Sequence, residues 1–317
     1  VSPSSKPTTE SDIVRVRLYR FDPSVDAAPR YESYEVPCVP RMRVMDVLDY
    51  IHEELAVDFG YRWLCGTRKC GTCAINVNGS PKLACWDEAE AEMTIEPLPN
   101  MEVIRDLVTS RDGFEASLAK LSPMLVRKEE YAGFPEPLTS TQFAPMEHLR
   151  DCLQCLACQS VCPVIAQGGS AFAGPALLVA LSELAQDPRD GADRAHIAAD
   201  VAHVFDCVSC YECERACPAE IPIVGEAIEP LKRIAYRAGE GEGAEHAKAF
   251  LDVVKTRGYL NPTVLALKTR GVNADTLRMA MRMIPRGKVD LGQAFLERKP
   301  SGAEGIAKTY GSAEELP

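Results

Sequence analysis

Residues 13–21, IVRVRLYRF, alternate apolar and charged positions with the period of two expected of a strand that buries one face. After the turn-like stretch DPSVDAAPR the run YESYEV (31–36) resumes the alternation, and the two segments predict a β-hairpin. The period then changes. In MRVMDVLDYIHEEL (42–55), Val44, Val47, Leu48 and Ile51 fall on one helical face with acidic residues between them. Three further strand segments follow, CAINVNG (73–79), KLAC (82–85) and MTIEPL (93–98). Two strands, a helix and two or three strands in under 110 residues is the element order of a ubiquitin-like roll, a β-grasp.

From about Ile104 the character becomes helical. GFPEPLTSTQFAPME (133–147) carries three prolines and few core formers, so it reads as a linker or an ordered surface loop. Beyond it the periodic segments are helical: PALLVALSELAQ (175–186), ADRAHIAADVAHVF (192–205), the run from Val224 onward, and HAKAFLDVVKTRG (246–258). The second of these is expected to run straight into the cysteine that follows. In NADTLRMAMRMIPRGK (273–288), Leu277, Met281 and Ile284 make a stripe that predicts core packing. The resulting organisation is α+β: a tail over 1–11, a sheet domain over 12–108, a linker and the start of the helical region over 109–147, a helical domain over 148–296, and a polar tail over 297–317.

Charge removes several function classes. Thirty-five basic against 46 acidic side chains leave a formal charge of −11, the wrong sign for a surface devoted to nucleic acid or anionic lipid. The opening VSPSSKPTTESD has no apolar centre, and no stretch of 18 or more apolar residues follows. A chain without a transmembrane segment of its own, in a reducing compartment, is the expectation.

The 13 cysteines carry the chemistry. In LCGTRKCGTCAINVNGSPKLAC, Cys65, Cys70 and Cys73 have the C-x4-C-x2-C spacing of a plant-type 2Fe-2S site, with Cys85 as the distant fourth thiolate. Two bridged irons need four thiolates, and a loop wrapped around them delivers three. Gly66 and Gly71 lack a Cβ, which allows backbone N–H groups to approach the sulfides, and Arg68 and Lys69 offset negative charge. Four thiolates also suit structural zinc, although zinc sites usually pair two C-x2-C hooks. Cys38 stands apart and reads as a plain buried thiol.

The second half contains C-x2-C-x2-C-x3-C-P twice, as Cys152, Cys155, Cys158, Cys162 with Pro163, and as Cys207, Cys210, Cys213, Cys217 with Pro218. In two-cluster ferredoxins the fourth cysteine of each run ligates the other cluster. That rule assigns Cys152, Cys155, Cys158 and Cys217 to a proximal 4Fe-4S cluster, and Cys162, Cys207, Cys210 and Cys213 to a distal one. Leu153, Leu156, Val161 and Val208 are expected to keep water away, and crossed ligation makes the clusters part of the fold.

No segment reads as a site for covalent chemistry. GEGEGAEH lacks a P-loop lysine and serine, and His52, His148, His196, His203 and His246 form no metal-binding motif. One 2Fe-2S and two 4Fe-4S clusters without a substrate site describe a wire, the two-electron reaction falling to partners. A free-standing multi-cluster ferredoxin shuttle is the competing reading.

LDYIHEEL, the CGTRKCGTCAINVNG loop, EPLPNMEVIRDLV (96–108) and both cubane runs together resemble the iron–sulfur subunits of succinate dehydrogenases and fumarate reductases. The resemblance implies a plant-type ferredoxin domain followed by an α-helical ferredoxin. It also implies an FAD-containing catalytic subunit at the 2Fe-2S end, FAD residing only there, and a membrane-associated subunit at the distal end. The whole would sit on the inner face of the cytoplasmic membrane through its partners. In the usual members the place of Cys210 is not cysteine and the distal centre is 3Fe-4S; here Cys210 implies a complete cube. Val164, Ile165, Ala166, Gln167 and Val208 replace residues that lie near quinone in those members. These departures, and MAMRMIPRGKVDLGQAFL (279–296), are similar to the branch with a heterodisulfide-reductase-like partner. A wire serving a sister flavoenzyme of other substrate stays open.

Overall fold

The computed structural model describes residues 13–131, 133–271, 273–287 and 300–311. Two compact units result, Val1–Leu231 and Lys232–Pro317. The expected tail over 1–11 lies outside the described residues.

The first unit opens with a mixed five-stranded sheet. Its strands are β1 (Ile13–Arg20), β2 (Arg30–Pro37), β3 (Ala74–Val77), β4 (Ser80–Leu83) and β5 (Glu92–Glu96), in the order β2-β1-β5-β3-β4. β1 pairs antiparallel with β2 and parallel with β5, which closes the roll. Val14, Val16 and Leu18 of β1 point inward and meet Val44, Val47, Leu48 and Ile51 of helix α1 (Val44–Glu53), so the period-two and helical stripes become one apolar core. Asn78 and Gly79 join β3 to β4 with φ of 52° and 80°, the left-handed pair that a two-residue hairpin turn requires. A small ribbon, β6 (Val103–Arg105) with β7 (Val108–Thr109), then leads to α2 (Asp112–Lys120).

Arg20 ends β1 on the buried side and is neutralised there. Its Nε lies 3.1 Å from Asp106 Oδ1, its Nη1 2.6 Å from Glu32, and its Nη2 donates to the Asp58 carbonyl at 2.7 Å. Asp106 also accepts from the backbone of Phe21 at 3.0 Å and Gly60 at 2.8 Å, which anchors the ribbon to the sheet.

The helical part of this unit consists of α3 (Ser140–Phe143), α4 (Ala157–Ser160), α5 (Pro163–Gln167), α6 (Pro175–Ala185), α7 (Arg194–His196), α8 (Glu212–Arg215) and the start of α9 (Glu229–Ala238). α6 is apolar over most of its surface, Ser182 and Glu183 apart, and buries Leu177, Leu178, Val179 and Leu181, as a central helix must. Residues 192–205 do not form the continuous helix expected of them. α7 widens into a π-helix, Ile197–Val201, His203 turns left-handed at φ 51°, and a 3-10 turn, Val204–Asp206, delivers Cys207. The break lets the Ala202 carbonyl accept from Ala173 at 3.0 Å while Ala198, Ala202 and Val204 stay buried. A second π-helix, Ile223–Ile228, precedes α9. Pro230 has no N–H for the Glu226 carbonyl, which accepts instead from Gln186 Nε2 at 2.9 Å.

The stretch between the two halves is strapped down by a buried arginine. Arg194 pairs with Asp190 at 2.7 Å and donates to the carbonyls of Leu121, Ser122 and Met124 at 2.8–3.0 Å.

In the second unit, α10 (Gly241–Arg257), α11 (Pro262–Arg270) and α12 (Ala274–Met283) are joined through Asn261 and Asn273, each capping the next helix with its side-chain oxygen. Two expectations are corrected here. The Leu277, Met281 and Ile284 stripe is exposed, and the residue that α12 buries is Thr276. The polar stretch after residue 296 includes a helix, Ala303–Gly311, which packs on α10 with Ala303 buried against Gly258. Of the segment 279–296, residues 288–296 lie outside the described residues.

Candidate iron–sulfur centres

The first site hangs from the sheet. Between α1 and β3 the chain makes a loop in which Gly66, Arg68 and Gly71 all have positive φ, turning successive N–H groups toward one side. Cys65 Sγ accepts from Thr67 at 3.4 Å, Lys69 at 3.3 Å and Cys70 at 3.4 Å. Those three donors, Thr67 first, lower its thiol to about 6. Cys70, the next cysteine of the loop, is half-buried. Cys73 is buried as β3 begins, and burial pushes its thiol up to about 12. Cys85 follows β4 and lies across the hairpin with its sulfur 3.3 Å from that of Cys73, too far for a disulfide. Trp86 is exposed beside the site with the Arg68 guanidinium 5.5 Å from its ring centre, and Trp63 and Leu64 are exposed at the loop entrance.

The two cysteine runs fold alike. In each, the residues two and four positions after the first cysteine are left-handed, Gln154 and Leu156 in one run and Ser209 and Tyr211 in the other. Each run then enters a one-turn helix, α4 or α8, that carries its third cysteine. The repeats face each other across two pockets. One is lined by Cys152, Cys155, Cys158 and Cys217 together with Leu153, Leu156, Val179, Ile221 and Ile223. The other is lined by Cys162, Cys207, Cys210 and Cys213 with Val164, Phe172, Val224 and Ile228. The fourth cysteine of each run thus stands in the pocket of the other.

Burial raises the proximal thiols: Cys158 well above the ordinary value, Cys155 to about 11, and Cys152 more modestly. On the distal side it raises Cys162, and Cys213 to about 12. Four convergent sulfurs in an apolar wall are a soft donor set, and such thiols become anionic only when a cation takes the proton's place. The residues therefore fit cubane clusters, and the hairpin loop fits a 2Fe-2S cluster.

Two expectations about individual residues change. Cys38 is exposed, not buried: Val36 takes the last inward place of β2, and Cys38 sits beyond it between Pro37 and Pro40. Val208 is 66% exposed and lines the mouth of the distal pocket without shielding it, and Cys210 is exposed next to it. Leu156, by contrast, is fully enclosed. Reasoning from sequence also missed Leu153 and Cys155 as residues that pack on the core of the sheet domain, a long-range contact with no local signal.

The β-grasp domain with its cysteine loop and the helical pair of thiol pockets define a multicentre iron–sulfur protein. Residues 15–116 match the family described as a 2Fe-2S iron-sulfur cluster binding domain, and residues 147–221 match a 4Fe-4S dicluster domain. The fumarate reductase iron-sulfur subunit of Mycobacterium tuberculosis is 32% identical over 251 residues, covering 73% of this chain and 99% of that protein. A fumarate reductase (CoM/CoB) chain from Methanothermobacter marburgensis is 34% identical over 236 residues, covering 74% of this chain and 47% of that protein. A chain of the Mycobacterium smegmatis Sdh1 complex in the apo form superposes with a TM-score of 0.67 at 25% identity, covering 72% of this chain and 98% of that one. The chain belongs to the family of iron–sulfur subunits of fumarate reductases and succinate dehydrogenases, the electron-transfer components of those oxidoreductases. It spans about half the length of the methanogen relatives it matches.

Proposed function

We propose that this chain relays single electrons between an FAD-containing subunit of the succinate dehydrogenase and fumarate reductase type, docked at the Cys65 loop, and a membrane-associated partner docked at the distal pocket. The observation that carries this reading is the contiguity of the three thiol sites. Gly71 of the first loop abuts Cys155 of the proximal set, and the two cubane runs interleave through Cys162 and Cys217. In the assignment proposed here, Cys65, Cys70, Cys73 and Cys85 hold a 2Fe-2S cluster. Cys152, Cys155, Cys158 and Cys217 hold the proximal 4Fe-4S cluster, and Cys162, Cys207, Cys210 and Cys213 the distal one. Bound clusters supply one-electron redox chemistry.

The chain's own residues hold, space and shield those centres. Thr67, Lys69 and Cys70 present N–H groups to sulfur, and Leu156, Ile221 and Ile223 enclose the proximal site in low dielectric. The exposed Trp63, Leu64 and Trp86 at one end, and Val208, Cys210 and Tyr211 at the other, leave both terminal sites open to partners. The methanogen relative, whose name pairs fumarate reductase with CoM and CoB, favours the branch with a heterodisulfide-reductase-like partner over an ordinary quinone-reactive one. Among the described residues no helix is long and apolar enough to cross a membrane, so membrane association is assigned to the partner.

Anaerobic purification from the native source at high salt tests the reading. Co-elution with an FAD-bearing chain, and succinate or fumarate turnover absent from the isolated chain, are expected. A monomer that carries all clusters and retains no partner would instead establish the shuttle, because apolar interfaces survive the screening that dissolves charge-steered encounters.

A further inference from the structure

The first cysteine loop and the proximal loop meet at one glycine. Gly71 has φ +68°, and a Cβ placed on it would lie 2.7 Å from the Leu153 carbonyl oxygen and 2.8 Å from Cys155 Cβ. Ordinary carbon contacts need roughly 3.5 Å or more, so the two loops approach to a distance that only a residue without a side chain permits. The approach is built from both sides. Leu153 and Cys155 pack on the core of the sheet domain, whereas the next two core residues, Leu156 and Cys158, belong to the helical core. Ala74, three residues after Gly71, packs on both cores. Arg111 holds the junction closed by donating from Nη1 to the Gln154 carbonyl at 2.8 Å, and Gln154 is left-handed at φ 48°.

We infer that the contact of Gly71 with Leu153 and Cys155, clamped by Arg111, sets the spacing between the 2Fe-2S and proximal 4Fe-4S centres, which makes Gly71 and Arg111 positioning residues for electron transfer between them. The inference rests on the cluster assignment proposed above. Cys70 adjoins Gly71 and Cys155 is part of the contact itself, and both are assigned as ligands, so a shift of either loop backbone moves a metal centre. A methyl group at Gly71 has to part the loops by roughly 0.7–1 Å before it reaches normal contact. Electron exchange, in which one centre loses the single electron that the other gains, weakens steeply with such a separation. So does the magnetic coupling between the two reduced centres.

The experiment uses the full chain, loaded and reduced anaerobically, and reads the power saturation of the reduced 2Fe-2S signal, which a paramagnetic neighbour relaxes. Gly71→Ala is compared with Gly79→Ala, which imposes the same left-handed strain in the β3–β4 turn, where the added Cβ meets nothing within 4 Å. The expected result is a severalfold loss of relaxation enhancement in Gly71→Ala, with the iron content and the 2Fe-2S line shape retained, and no loss in Gly79→Ala. Unchanged enhancement in an iron-replete Gly71→Ala overturns the inference. If that variant fails to load, Arg111→Ala decides: reduced enhancement supports the clamp and wild-type enhancement overturns it. Wild-type chain that shows no 2Fe-2S or 4Fe-4S signals would instead defeat the cluster assignment itself.

Discussion

The sheet domain and the helical domain prepare cysteine sulfur for iron in opposite ways. At Cys65 three backbone N–H groups converge on a sulfur near the surface and favour its anion before any metal arrives. In the helical pockets, Cys158, Cys162 and Cys213 are part of the apolar core, and burial holds their thiols protonated. The sheet core is assembled from β1, α1, β3 and β5 with one fully buried cysteine, Cys73. The difference teaches that a cluster can be an attachment to a fold or a piece of its core, and that burial, more than ligand count, separates the two cases.

The largest expected effect follows from removing iron altogether. Anaerobic chelation should abolish hydrogen-exchange protection across residues 149–228 and leave strands β1, β3 and β5 protected. Equal loss in both domains would break the comparison. Next in size is the contrast of a proximal and a distal cysteine. Cys158→Ser places an unpartnered hydroxyl in the core, costing about 1–3 kcal/mol beyond the loss of a ligand, and should remove the proximal centre. Cys210→Ser, at an exposed position, should leave the fold intact and lower bound iron from about ten to about nine per chain, with a 3Fe-4S signal on oxidation, unless the new hydroxyl retains the corner iron. Iron analysis and electron paramagnetic resonance distinguish these outcomes.

Among the described residues two arginines are buried, one in each domain, and their loss acts on stability without removing a ligand. Arg194→Ala takes the cation from buried Asp190, which keeps the Val126 N–H at 2.9 Å, and removes the donor to three carbonyls, and should destabilise the helical domain by about 3–5 kcal/mol in denaturant titrations. Arg20→Ala should cost less, roughly 1–3 kcal/mol, because Asp106 keeps the N–H groups of Phe21 and Gly60 and lies near Arg105. The reverse ranking would mean that the backbone donors do not carry the charge. The smallest effect is at His148, whose hydrogen bond to Glu226 at 2.9 Å raises its pKa above 6.5. A raised folded pKa stabilises fully below the unfolded value and is lost as pH rises through the folded one. The helical domain of the wild type should therefore lose a small increment of stability above neutral pH that His148→Gln does not show.

In the chain alone, the alternation in residues 13–20, the helical stripe of α1 and the helical α6 were legible, because each is a local periodicity. The cysteine spacings were legible for the same reason, since a cluster loop must be short. Burial was not. Cys38, Val208 and the Leu277, Met281 and Ile284 stripe are apolar or thiol side chains whose exposure depends on what packs over them, and nothing within a few residues states that. The helix break before Cys207 frees a carbonyl for Ala173, more than twenty residues away, and the clamp at Arg194 uses carbonyls some seventy residues distant. Composition and spacing determined which atoms are available to hold iron. The repeated spacing also implied which sulfurs share a pocket. Only the tertiary structure decided which of them are shielded and that Gly71 would touch Cys155, because contact between distant segments follows from the packing of two whole cores.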